Sequence, residues 1–166
     1  MHILINKKYL TYKKYKVKCA IGKMGIGLKR KEGDFITPIG EYKIKYVLYR
    51  RDRIKKIQTK FKKIVLKKNL GWCNDSNSKD YNKLVKLPFN YSCEKLYRKD
   101  NLYDIIVVIN YNMSPIIKDK GSAIFIHVAK KNYKKTEGCI ALKKKDLCNI
   151  LKNIKKNTRV KIVDRK

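Results

Sequence analysis

Histidine is scarce in this chain: two in 166 residues, one of them at position 2. Cysteine is present five times, an odd number, as Cys19, Cys73, Cys93, Cys139 and Cys148, with no C-x-x-C. Odd count and wide spacing argue against a disulfide framework, and the lack of paired ligands argues against structural zinc. No metal or organic cofactor is expected. No apolar run approaches the ~18–20 residues of a membrane span. The N-terminal apolar patch is only Ile3-Leu-Ile5, too short for the ~7–15-residue core of a cleavable secretion signal. Proline (3) and glycine (8) are few and form no linker. With no internal repeat either, residues 1–166 are expected to form one domain, long enough to bury a core without staples.

Acidic residues are also few, 13 against 44 Lys and Arg, for a net charge of +31. Such a balance invites a nucleic-acid reading. The excess is nearly all Lys, however, spread from Lys7 to Lys166 and accompanied by abundant Ile, Asn and Tyr. That is the composition an A/T-rich genome writes into many proteins, so no specific nucleic-acid partner is expected. The charge does imply salt-sensitive adhesion to polyanions.

Hydrophobic residues make up 43% of the chain and charged residues 34%, which is a globular balance. His2–Ile5 and Tyr15–Ile21 read as strands, the second alternating with period two. Glycines punctuate 22–40, and Glu41–Leu48 reads as a further strand. Residues 50–100 read as long loops over one side of the domain with short strands at most, and loops of that length are usually functional. Residues 102–110 form a β-branched apolar run typical of a strand buried on both faces. Ser122–Val128 is another strand, followed by Thr136–Leu142. Leu147, Ile150, Leu151 and Ile154 share one face of a helix over 144–156. Thr158–Val163 closes the chain as a strand. The fold class is mainly β, a sandwich or barrel-like domain with one helix in the C-terminal half and long loops.

Two residues carry candidate chemistry. If Ile124 and Ile126 face the core, then Ala123, Phe125 and His127 share the opposite face. Cys139 follows Gly138 in a tight turn, where successive N–H groups converge as an oxyanion site requires. A free thiol titrates near ~8.5, so a thiolate at neutral pH needs a base or cation beside it. His127 is the one imidazole placed within a fold to serve. The competing reading is that His127 and Cys139 are both packing residues. Cys19, Cys73, Cys93 and Cys148 are read as packing.

Three segments, in order, resemble the L,D-transpeptidase (YkuD-type) family. Gly22-Lys-Met-Gly-Ile-Gly…Glu32-Gly-Asp-Phe-Ile-Thr-Pro-Ile-Gly40 is similar to its G-D-x-x-T-P-x-G signature. Ser122-Ala-Ile-Phe-Ile-His127 is similar to the strand that ends in its histidine. Thr136-Glu-Gly-Cys139 is similar to its Ser/Thr-His-Gly-Cys motif, with Glu137 where the family usually has His. The resemblance covers roughly residues 15–163. It implies a β-rich catalytic domain acting on peptidoglycan stem peptides in the cell envelope, although no export signal is visible. It implies that Cys139 attacks the stem, releases D-Ala through a thioester and passes the acyl group to an amine, or to water in a carboxypeptidase. It gives His127 the proton, Gly138 and Cys139 the oxyanion, and Thr136 the orientation of the histidine or the turn. Asp34, Thr37 and Gly40 are expected to be scaffold, and Trp72 and Arg98 to line the substrate groove. The remaining alternative is a non-catalytic basic β-domain that binds polyanions.

Overall fold

A computed structural model describes residues 1–164. The chain opens as an antiparallel meander of β1 (His2–Ile5), β2 (Tyr9–Tyr12) and β3 (Tyr15–Lys18). Alternation decides which side chains go inward: Ile3, Ile5, Leu10 and Tyr12 are buried, and their neighbours are not. Asn6 Oδ1 closes the first turn by accepting the Lys8 and Tyr9 N–H groups. The sequence pattern predicts two strands in this stretch, and β2 is a third. Its Tyr-Leu-Thr-Tyr pattern is short and sits between lysine-rich turns, so it carries little signal alone.

Next come a short parallel pair, β4 (Ile26–Gly27) and β5 (Thr37–Pro38), and then β6 (Gly40–Tyr49), the spine of the molecule. Residues 40–43 of β6 pair with β14 (Arg159–Ile162), and residues 44–49 pair with β11 (Ile105–Ile109). A register shift between Val108 and Ile109 marks the handover. β7 (Lys63–Val65) pairs with the far end of β6. β12 (Phe125–Val128) and β13 (Ile140–Leu142) complete one side, giving the order β13-β12-β11-β6-β14-β1-β2-β3. The two edges then meet. Ala20 and Ala141 exchange both backbone hydrogen bonds, at 2.8 and 2.9 Å. The sheet is therefore nearly a closed barrel, which removes the liability of free edges.

Ile105–Ile109 are all buried because their sheet is covered on both faces. One face points to the barrel interior, where Val107, Ile126, Ile140 and Val160 share one core with the buried side of α1 (Lys144–Asn153). Leu147, Ile150 and Leu151 are the buried stripe of α1. The helix ends earlier than its apolar period suggests, because Ile154 turns to extended backbone (φ −72°, ψ 147°) while its side chain stays in the core.

The opposite face carries a second core built on Leu48, Ile106, Val108 and Phe125. It is covered by the 50–100 region, which is not loop alone: β8 (Leu70–Cys73), β9 (Leu84–Lys86) and β10 (Cys93–Lys95) form a sheet in the order β10-β8-β9. Trp72 anchors it, edge-on to Phe125 with ring centroids 4.9 Å apart. Buried Asn82 ties this small sheet to the main one. Its Oδ1 accepts from Trp72 Nε1 (3.0 Å) and Ala123 N–H (3.1 Å), and its Nδ2 donates to the carbonyls of Tyr111 (3.0 Å) and Asn112 (2.8 Å). A buried amide with all these partners costs nothing in unmet polarity and fixes the two sheets in one register.

Candidate active site

Strand pairing brings Cys139 and His127 together. In the parallel β12–β13 ladder, Ile126 pairs with Ile140 and His127 with Ala141. Side chains alternate across a sheet, so Phe125 and His127 point to the second core while Ile126 and Val128 point into the barrel. Cys139 lies one residue before β13, on the same face as Ala141. It therefore sits beside Phe125 and diagonal to His127, within reach of long side chains. Both residues line one cleft of about 750 Å³.

The thiol is held at two points. Sγ donates to the Ala123 carbonyl at 3.0 Å and accepts the Phe125 N–H at 3.3 Å. Ala123 has φ +52°, a left-handed conformation that costs an alanine roughly 1 kcal/mol, and its carbonyl receives the thiol. Burial pushes the Cys139 thiol up to about 12, and the carboxylates of Glu94 and Glu137 add to that. The Phe125 N–H and the Lys29 ammonium oppose it. Burial likewise drives His127 down to about 4, although its bond to the Val128 carbonyl favours the charged ring. That bond, from Nδ1 at 2.8 Å, assigns the proton to Nδ1 and leaves Nε2 as the basic nitrogen.

The Gly-Cys turn is cradled by the Thr-Pro segment. Gly22 N–H donates to Thr37 Oγ1 at 2.8 Å, and the Thr37 hydroxyl donates to the Gly138 carbonyl at 2.8 Å. Thr37 is fully buried. Gly138 adopts φ +137°, and a Cβ there would lie 2.9 Å from the Ile36 carbonyl oxygen, so glycine is required. Thr136 is bonded within the turn: its hydroxyl donates to the Cys139 carbonyl at 2.5 Å and accepts the Gly138 N–H at 3.2 Å. The Gly138 N–H, expected to face an oxyanion, is thus already bonded within the turn. Asp34 staples the loop before Thr37. It accepts from Lys29 Nζ at 2.5 Å and from the N–H groups of Arg30, Lys31 and Ile36. Burial works to raise its carboxyl, but these partners together hold it below the ordinary range.

The far wall of the cleft comes from the small sheet and the segment after it. Tyr103 stands edge-on to His127, with centroids 5.3 Å apart, and donates to Glu94 Oε1 at 2.5 Å. Burial raises Glu94 against that hydrogen bond. Arg98 lines the cleft, 5.5 Å over the Tyr103 ring and paired with Asp100 at 2.7 Å. Trp72 does not line it. Only 1% exposed, it lies beneath Phe125 as a core anchor, because its indole N–H is taken by Asn82. Glu137 is exposed at the rim. Tyr103, Glu94 and Lys29 were not singled out from sequence. They lie far from Cys139 along the chain, and no local pattern marks them. Among the described residues, no group of three or more His, Cys, Asp or Glu could hold a metal ion.

Residues 2–162 match the family model YkuD, the L,D-transpeptidase catalytic domain. The chain belongs to this family. Its mainly β, nearly closed sheet with one helix is consistent with the YkuD fold. The helical cell shape determining protein Pgp2 (K307A mutant) from Campylobacter jejuni is a similar solved structure, 20% identical with a TM-score of 0.45. The match covers 99% of this chain and 47% of that one, so the chain spans about half the length of Pgp2. No curated protein matches the chain. Among the described residues, no helix is long and apolar enough to cross a membrane.

Proposed function

We propose that this YkuD domain is a cysteine peptidyltransferase of the cell envelope that acts on peptidoglycan stem peptides. The observation that carries the reading is the placement of Cys139 and His127 on one face of the β12–β13 ladder, over one cleft. Cys139 Sγ attacks the carbonyl that precedes the terminal D-Ala of a tetrapeptide stem. His127 Nε2 takes the thiol proton as the C–S bond forms, and returns it to the departing amine of D-Ala. The thioester then passes to an amine of a neighbouring stem, which restores the thiol. Water in place of the amine makes the same site a carboxypeptidase. The N–H groups of Gly138 and Cys139 hold the oxyanion. The Gly138 donor exchanges its 3.2 Å bond to Thr136 Oγ1 for the substrate oxygen. Thr136 keeps the turn in place, and Arg98 stands at the cleft wall for the stem.

The test is intact-mass spectrometry after incubation with a purified disaccharide-tetrapeptide. The expected result is an adduct of the stem minus D-Ala, absent from Cys139→Ala, with D-Ala release falling at least about 10³-fold in that variant. Cys148→Ala should keep full activity. Adding an amine acceptor separates transfer from hydrolysis by the products formed. Absence of both adduct and D-Ala release would overturn the catalytic reading. A basic domain that binds anionic polymers, with Lys23, Lys130, Lys134 and Lys135 at the cleft, would replace it.

A further inference from the structure

Cys73 and Cys93 are distant in sequence but directly opposite each other in the antiparallel β8–β10 pair. The ladder's phase places them where side chains approach most closely. Asn74 N–H bonds to the Ser92 carbonyl and Leu96 N–H to the Leu70 carbonyl. Bonded and non-bonded pairs alternate in an antiparallel ladder, so Cys73–Cys93 is a non-hydrogen-bonded pair. Such pairs have Cα atoms about 4.5 Å apart, within the span a disulfide accepts. A Cβ built on Gly71 would lie 3.2 Å from Cys93 Sγ. The Cys93 side chain therefore lies on the face that Gly71 and Cys73 share, and glycine leaves room for it. Both thiols are free. Cys73 is fully buried, with only a 3.8 Å contact from Sγ to the Asp75 carbonyl. Cys93 is half-buried and opens on a shallow depression with Tyr91, Lys68 and Lys95.

We propose that Cys73 and Cys93 form a cross-strand disulfide site, closed by thiol–disulfide exchange with a small-molecule or protein disulfide. The Cys93 thiolate attacks one sulfur of that disulfide, forming a mixed disulfide and expelling a thiolate. The Cys73 thiol, deprotonated as it attacks, then displaces the second thiolate. The two cysteines lose two protons and two electrons, and the external disulfide becomes two thiols. The bond ties β10 to β8, and β10 is the strand that presents Glu94 to Tyr103 in the cleft wall. The site stands independently of the catalytic reading.

The experiment treats the folded full chain with oxidised glutathione, alkylates the remaining thiols, and maps linked peptides by mass spectrometry. The expected product has lost two hydrogens, carries one Cys73–Cys93 linkage, and has Cys19, Cys139 and Cys148 alkylated. Cys93→Ser should lose the linkage. Closing a loop of about 20 residues should raise Tm by roughly 5–10 °C, reversed by dithiothreitol and absent in Cys93→Ser. A lasting glutathione adduct on Cys93, a linkage between other cysteines, or no linkage at all would overturn the proposal.

Discussion

Cys139 and His127 are both pushed by burial toward their neutral forms, the thiol to about 12 and the imidazole to about 4. Both shifts work against a standing thiolate–imidazolium pair at rest. Alkylation of Cys139 by iodoacetamide should therefore rise about tenfold per pH unit from neutral pH into the alkaline range. A plateau already reached near neutral pH would show a standing ion pair instead. His127 also links folding to pH. Its folded pKa lies below the unfolded value of ~6.5, so the unfolded chain binds more protons between the two values. Stability is then fully present above that window and falls as pH drops through it, by about 3 kcal/mol at most. Glu94, raised by burial, acts in the opposite direction. Denaturant melts of wild type and His127→Gln across the window isolate the histidine, and the variant should lose that part of the slope. His127 and Cys139 were legible in sequence because an imidazole on an apolar strand and a thiol after glycine are unusual placements. Their pKa directions were not, since burial is a property of the packed second core.

At the scale of elements, Thr37 joins the β4–β5 pair to the turn that carries Cys139. Thr37→Val keeps the shape but removes the bridge from Gly22 N–H to the Gly138 carbonyl. With buried polar groups left unpaired, a loss of about 1–3 kcal/mol is expected in denaturant melts. Activity should fall further than stability predicts, because the turn that carries Cys139 is released. Wild-type activity in this variant would mean that the turn holds itself. The helix and the long apolar strands of the main sheet were legible because their apolar periods are strong: Leu147, Ile150 and Leu151 for α1, and Ile105–Ile109 for β11. β2 and β8–β10 were not, because strands of three or four residues depend on partners from distant segments. Trp72 shows the same limit, since a lone tryptophan in a loop-like stretch reads equally as a groove wall or a core anchor. Only its contacts with Phe125 and Asn82 decide.

At the scale of the molecule, the charge of +31 acts whatever the cleft does. The protein should bind polyanions such as heparin with an affinity that falls steeply and log-linearly with salt. Cys139→Ala should bind equally well, since the lysines carry that interaction. Salt-insensitive retention would point to a specific anion site instead.

The sequence by itself determined the fold class, the single α1, the apolar interior strands and the motifs that mark the family, because each is written in local periodicity or short spacing. Tertiary structure alone decided the rest. Closure of the sheet through Ala20 and Ala141, the facing of Cys139 and His127, the Tyr103–Glu94 wall and the opposition of Cys73 to Cys93 all join residues on separate segments of the chain. No local propensity encodes such meetings; they follow from the strand order and register that burying two cores at once requires.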